Sequence, residues 1–173
     1  MSRSKWVISE NSKLTVNGRT NINRFSCSIT AYPKTDTIFI NQDKTNNIAL
    51  SGVLNIAVKN FDCNNDMMTK QLRKTLKEDK FAMLRVRFLS LKEAPSQKLN
   101  VVKGIVEITI AGVAKKYEIC YQLDVNLEDL VLTGNQAINF SDFNLEAPRK
   151  IGRLVQAKDE LIVAFNLNMK LVP

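Results

Sequence analysis

The sequence predicts a mostly β protein, an antiparallel barrel or sandwich of about eight strands with one amphipathic helix. Apolar and polar residues alternate with a period of two through most of the chain, which is the pattern of strands with one buried face. Apolar residues recur at a spacing of four in the stretch that follows residue 66, which favours a helix there. Most of the predicted strands are adjacent in sequence, and this favours antiparallel pairing.

The first part of the chain holds four predicted strands. They lie near Trp6–Ser9, Lys13–Ser28, Asp36–Asn41 and Leu54–Val58. The pair Asn17-Gly18 could turn or bulge the second of them, because glycine adopts backbone angles that other residues avoid.

The helix is predicted in the stretch that begins near Asp66. Met68, Leu72 and Leu76 fall on one side of it, and the cations Lys70, Arg73, Lys74 and Lys77 fall on the other, where we expect a solvated face. A short polar side chain at Asn64, Asn65 or Asp66 can cap its N-terminus by accepting free backbone N–H groups.

The rest of the chain alternates more clearly. A tight turn at residues 111–114 would join two long strands into a hairpin. The predicted strands lie near Leu84–Phe88, Val101–Ile110, Tyr117–Val125, Leu130–Asn139 and Leu161–Leu171.

Length and composition indicate one globular domain spanning residues 1–173, because 45% hydrophobic and 24% charged residues are ordinary values for such proteins. The formal net charge of +8 favours an anionic partner, and peripheral contact with an anionic membrane is one candidate. The lysines are spread along the chain and only 7% of the residues are aromatic, so we expect no nucleic-acid partner.

The chain contains no histidine, which removes Ser–His and Cys–His dyads and most zinc sites. Asp62, Asn64 and Asp66 are spaced like the start of a calcium loop. That loop needs glycine and glutamate where this chain has Met67 and Arg73. We therefore expect no catalytic residue, no metal site and no cofactor, and we predict that the protein is not an enzyme.

The three cysteines are too far apart for a CxxC motif. Cys27 ends a predicted strand and Cys63 precedes the helix, so a disulfide between them would tie the helix to the sheet. We expect this disulfide in an oxidising compartment, and two half-buried thiols in a reducing one. Cys120 would then be a free thiol packed within the fold.

Several segments, taken in order, resemble the YceI-like family. They are an early W-x-I strand at Trp6-Val7-Ile8, GRTNINRF ending at Phe25, the Leu72…Leu76 spacing, GIVEITIAGVAKKY ending at Tyr117, and INFSDFNL ending at Leu145. The two-cysteine form TNINRFSC…FDCNND is similar to a divergent, Bacteroidetes-type branch. Two positions depart from the usual pattern, since Ala82 stands where proline is usual and Phe140 where arginine is common.

The resemblance implies a lipocalin-like antiparallel barrel that holds a long apolar molecule, typically an isoprenoid chain, without catalysis. It also implies export to the periplasm or cell envelope, with a signal peptide already removed, and it is compatible with a homodimer. The N-terminus has no signal-peptide core, and cytoplasmic residence stays open as the alternative.

Alternation predicts which residues would face the interior of such a barrel and contact the ligand. They are Leu84, Val86, Phe88, Tyr117, Ile119, Tyr121, Phe165 and Leu167. If the ligand carried a phosphate, Lys70, Lys74 or Arg149 could meet it near a mouth. The alternative function is a filled barrel that acts as an envelope interaction or stress-response module through its basic surface.

Overall fold

The computed structural model describes residues 2–29, 36–42, 48–148 and 156–172, which contain ten antiparallel strands in one sheet. The strands are β1 Ser2–Ile8, β2 Lys13–Thr20, β3 Arg24–Ile29, β4 Thr37–Gln42, β5 Ile48–Ala57, β6 Met83–Leu91, β7 Val101–Ile110, β8 Val113–Asn126, β9 Asp129–Asn139 and β10 Ala157–Val172. The helix α1 spans Asp66–Thr75, and 3₁₀ helices span Val58–Asn60 and Phe140–Phe143.

Eight of the strands close into a barrel. The order of the sheet is β1-β4-β5-β6-β7-β8-β9-β10-β2-β3, and β1 pairs with β10 as well as with β4. The ring is therefore β1 and β4 to β10, with the β2–β3 hairpin attached to β10. This confirms the predicted antiparallel barrel with one helix and rules out the sandwich.

The longest strand, β10, exchanges one of its partners partway along. One edge pairs with β9 from Glu160 to Lys170, whereas the other pairs with β2 up to Asn166 and with β1 from Met169 onward. In the gap between these ladders, the backbone N–H of Asn168 donates to Ser12 Oγ at 3.0 Å. The turn between β1 and β2 thus completes the hydrogen bonding of β10.

The prediction of one strand over Lys13–Ser28 is wrong, because the chain reverses there to form the β2–β3 hairpin. The reversal lies at residues 21–23 rather than at Asn17-Gly18, and the hydroxyl of Thr20 accepts the backbone N–H of Asn23 at 2.9 Å. Gly18 instead lies opposite Phe25, whose ring occupies the place of a β-carbon: one built on Gly18 would lie 2.2 Å from Phe25 Cζ.

Helix α1 packs its predicted apolar side on the sheet. Met68, Leu72 and Leu76 are all buried, and the side chain of Asn65 caps the helix by accepting the N–H of Met68 at 2.9 Å. The helix connects the end of β5 to the start of β6, so it lies at one end of the barrel, here called the helix end.

Arg73 differs from the solvated cation that the sequence predicts. Its side chain is half-buried, and Nη2 donates to the backbone oxygens of Lys59 at 2.6 Å and Phe61 at 3.2 Å. Arg73 therefore fastens α1 to the connection that follows β5.

A disulfide joins Cys27 of β3 to Cys63, with an S–S distance of 2.02 Å. Next to it, Ser28 and Asp62 form a two-way backbone bridge at 2.9 and 3.1 Å. Together these bonds tie the free edge of the β2–β3 hairpin to the segment between β5 and α1. The predicted packing of Cys120 is wrong, because this free thiol is exposed on the outer face of β8.

Candidate functional site

The interior of the barrel contains a narrow cavity of about 40 Å³. Its apolar wall is made of inward-facing residues from both sides of the ring and from the attached hairpin. They are Ile8, Leu14, Ile29, Leu54, Ile56, Val86, Phe88, Val106, Ile108, Ile119, Val163, Phe165 and Leu167. A site of roughly 10–15 Å³ on this measure holds one water molecule, so the cavity is a slender gap rather than an open chamber.

Two polar residues, Ser12 and Lys13, border the cavity at the turn between β1 and β2. Ser12 is buried, and its hydroxyl is engaged by the backbone of Asn168. Lys13 is exposed although it borders the cavity. The cavity therefore approaches solvent beside Lys13, in the side of the barrel where β10 changes partner.

The structure brings five of the eight predicted interior residues to the cavity, namely Val86, Phe88, Ile119, Phe165 and Leu167. The other three do not line it. Leu84 is buried toward the helix end, Tyr117 is half-buried, and Tyr121 is buried with its ring against Phe165. Contact of any of these residues with a ligand remains a proposal.

Sequence reasoning missed other lining residues for two different reasons. Leu54, Ile56 and Val106 show the same alternation as the residues chosen, and a full inventory of inward positions could have included them. Ile8 and Ile29 lie at strand ends that meet only because β10 exchanges β2 for β1, and no local pattern signals that exchange.

Two of the three predicted headgroup cations lie away from the cavity. Lys70 and Lys74 are exposed on α1, and α1 contributes no lining residue. Arg149 lies outside the described residues. Lys13 is the cation that borders the cavity, and its only sequence signal is its place at the start of an alternating strand.

Two tyrosines of β8 have perturbed acidity. Burial raises the pKa of Tyr121 well above the ordinary tyrosine value, because an ionised phenolate would lose its hydration. Burial, together with the nearby carboxylate of Asp142, raises the pKa of Tyr117. Both side chains are therefore neutral phenols at physiological pH.

The described part of the chain contains no group of three or more His, Cys, Asp or Glu residues that could hold a metal ion. Within the same residues, no helix has both the length and the apolar character that crossing a bilayer requires.

A closed antiparallel barrel around an apolar cavity defines a lipocalin-like protein. The family model for the YceI-like domain matches residues 3–169, so this chain belongs to the YceI-like family. A search of curated proteins found no match.

Solved structures with this fold include BcnA of Burkholderia cenocepacia, which is 19% identical, with 91% of this chain and 95% of that chain covered and a TM-score of 0.67. A polyisoprenoid-binding domain from Saccharophagus degradans, implicated in plant cell wall breakdown, is 11% identical over 95% of this chain and 97% of that one, with a TM-score of 0.69. The YceI protein of Campylobacter jejuni is 15% identical over 75% and 77%, with a TM-score of 0.54. At these identities the likeness shows the fold alone.

Proposed function

We propose that this protein is a non-enzymatic carrier or sequestering protein for an apolar lipid, such as a polyisoprenoid, and that its whole chain acts as one barrel domain. The observation that carries the proposal is the continuous apolar lining of the cavity inside a closed barrel. Support also comes from the structural similarity to a domain described as polyisoprenoid-binding.

Binding would be driven by removing the chain from water. Each buried CH₂ group contributes roughly 0.8 kcal/mol, so a long hydrocarbon chain needs few polar contacts. Pockets that enclose drug-sized ligands measure roughly 300–1,000 Å³, well above the cavity volume here. Side chains of the lining must therefore move outward as the ligand enters. Of the two phenylalanines in the lining, Phe88 is buried and Phe165 is half-buried, so Phe165 is the candidate for this movement.

The disulfide supports a periplasmic or cell-envelope location, because disulfides persist mainly in oxidising compartments. The exposed cations of α1, including Lys70 and Lys74, are suited to transient contact with an anionic membrane during lipid exchange. For an anionic headgroup, Lys13 is better placed than either of them, because it borders the cavity. A homodimer remains part of the prediction, and light scattering after size-exclusion chromatography tests it.

Native mass spectrometry tests the proposed function. The purified protein is expected to carry a lipid adduct, or to take up an added isoprenoid alcohol with one chain per barrel. Val86→Trp should fill the cavity and abolish uptake, whereas Arg87→Trp adds the same ring to the exposed face of β6 and should leave uptake unchanged. Absence of any adduct and of any uptake by the wild type would refute the proposal.

The narrowness of the cavity favours a second candidate, a filled barrel that acts as an envelope interaction or stress-response module. Its basic surface, with a net charge of +8, would then bind anionic partners. This function predicts no lipid uptake and an association that weakens as salt rises, since exposed charges are screened.

A further inference from the structure

Tyr121 is placed deep in the barrel, beside the cavity but separated from it. It is 1% exposed, and its ring lies 5.7 Å from that of Phe165, at an interplanar angle of 57°. Phe165 lines the cavity and Tyr121 does not. The ring of Phe165 therefore borders both the cavity and Tyr121.

The barrel makes room for this pair of rings with glycines on neighbouring strands. A β-carbon built on Gly104 would lie 3.1 Å from Tyr121 Cε2, and one built on Gly134 would lie 3.1 Å from Phe165 Cζ. Gly134 is the cross-strand partner of Phe165, so the ring lies over a bare stretch of backbone. No side chain on Gly134 blocks a rotation of Phe165 away from Tyr121.

The hydroxyl of Tyr121 is buried and has no hydrogen-bond partner among the described residues. A buried polar group without a partner costs about 1–3 kcal/mol, and such groups are rare in folded proteins. Tyrosine on an inward position of a β strand is also chemically unnecessary for packing, since phenylalanine has the same ring. The hydroxyl is thus free to donate to a group that is brought into the barrel.

The surroundings of this hydroxyl select the kind of group it can serve. The side chains beside the Tyr121 ring, Phe165 across the ring contact and Leu91 near Gly104, are apolar, and the polar group near Gly104 is the backbone oxygen of Ser90. A carboxylate or phosphate would lose its hydration here without a cation to pair with, whereas a neutral oxygen loses far less. Lys13, the cation that borders the cavity, is exposed at the side where the cavity approaches solvent.

We propose that the ligand of this barrel carries an uncharged hydrogen-bond acceptor, such as a ketone, quinone, ester or amide carbonyl, which accepts a hydrogen bond from the Tyr121 hydroxyl once Phe165 has turned aside. The inference rests on the proposed lipid-binding function and narrows its ligand to amphiphiles with a neutral polar head. It also sets the orientation, with the polar head inside the barrel and the apolar tail along the cavity.

The test compares two probes with the same number of non-hydrogen atoms, tridecan-2-one and tetradecane. Each probe displaces the fluorescent apolar dye N-phenyl-1-naphthylamine from the 173-residue protein, and the ratio of the two apparent affinities is measured. The affinity for the ketone relative to the alkane should be about tenfold higher in the wild type than in Tyr121→Phe, a difference that corresponds to one hydrogen bond. Tyr117→Phe deletes a hydroxyl from the same strand at a half-exposed position and is the matched control.

Thermal unfolding of the free protein provides a second measurement. Tyr121→Phe should unfold at the same temperature as the wild type or a higher one, because no hydrogen bond is lost. A lower temperature would show that the hydroxyl already has a partner and would overturn the inference. An equal ketone-to-alkane ratio in wild type and Tyr121→Phe would also overturn it, with lipid binding intact. If neither probe nor the dye binds any variant, the proposed function itself fails.

Discussion

Cys27 and Cys63 lie directly opposite each other, one residue along from the backbone bridge between Ser28 and Asp62. The disulfide is thus one rung of a short antiparallel pairing between β3 and the chain that leads into α1. Without it, the outer edge of the β2–β3 hairpin would be held to the ring by that bridge and by side-chain packing. The helix and the hairpin are consequently cross-linked at the helix end of the barrel.

Removing the disulfide is expected to lower the free energy of unfolding substantially. The cysteines are 36 residues apart, and the chain-entropy relation gives a stabilisation of about 4 kcal/mol for a loop of that length. Urea denaturation of a Cys27→Ala/Cys63→Ala double variant measures the loss. Cys120→Ala, which removes the exposed thiol, is the control and should match the wild type.

A thiol count tests for the Cys27–Cys63 disulfide without any mutation. The denatured, unreduced chain should show one reactive thiol out of three cysteines. Three reactive thiols would contradict the disulfide.

Ser12→Ala is expected to destabilise the barrel where β10 changes partner. The variant leaves the partly buried backbone N–H of Asn168 without its acceptor, which lies at 3.0 Å in the wild type. The expected loss is about 1–3 kcal/mol in the free energy of unfolding, measured by urea denaturation. Ser26→Ala, on an exposed position of β3, should change it by less than about 0.5 kcal/mol. Equal effects of the two variants would contradict this role for Ser12.

Arg73→Met is expected to loosen α1, although the residue lies among the exposed cations of that helix. It removes two hydrogen bonds from a charged donor to the carbonyls of Lys59 and Phe61, worth about 1.5–3 kcal/mol in the free energy of unfolding. Lys74→Met makes the same change at the next, exposed residue and should have a small effect. Chemical denaturation of both proteins tests the difference, and a larger effect of Lys74→Met would refute it.

Alkaline pH is expected to destabilise the wild type more than Tyr121→Phe. The pKa of Tyr121 is raised in the folded state, so above pH 10 the unfolded chain loses this proton while the folded chain keeps it. The contribution is complete below pH 10 and declines above it by about 1.4 kcal/mol per pH unit. Denaturation series between pH 9 and 11 measure it as the divergence of the two proteins. Parallel curves would contradict the raised pKa.

Phe165→Ala is expected to widen the cavity and improve uptake of the fluorescent dye, at a cost in stability of up to about 3–5 kcal/mol. Phe25→Ala is the matched control, because Phe25 also covers a cross-strand glycine but does not line the cavity. Dye titration combined with urea denaturation separates the two effects. Improved uptake by the control variant alone would contradict the cavity as the binding site.

The alternation of single strands predicted an antiparallel barrel or sandwich and five of the residues that line the cavity. Val86, Phe88 and Ile119 could be assigned to the interior because the side chains of a strand with one solvent-exposed face alternate with a period of two residues. The same reasoning could not place Tyr121 behind Phe165 instead of on the cavity. That arrangement depends on how rings from different strands fill the space above Gly104 and Gly134, which no local pattern encodes.

The early hairpin was missed for a related reason. The apolar residues change from even positions at Leu14 and Val16 to odd positions at Phe25 and Cys27, and a single strand was predicted across this change. The reversal is made by a Thr20–Asn23 hydrogen bond rather than by the Asn17-Gly18 pair. Lys70 and Lys74 were chosen as headgroup contacts because helical spacing makes the cations of α1 conspicuous in the sequence, whereas Lys13 is a single residue after a turn. In both cases the decisive contact joins residues that have no distinctive sequence signature.

The partner exchange of β10 gives the barrel wall a seam. Two pairs of strands, β1 with β4 and β2 with β3, lie along the same edge of β10. These two pairs share no ladder with each other in the described sheet. The bonds between Ser12 and Asn168 hold the turn that links β1 and β2 on β10, whereas neighbours in the ring are joined by a whole ladder. The closed ring therefore has its weakest hydrogen bonding where β10 passes from β2 to β1, beside Lys13.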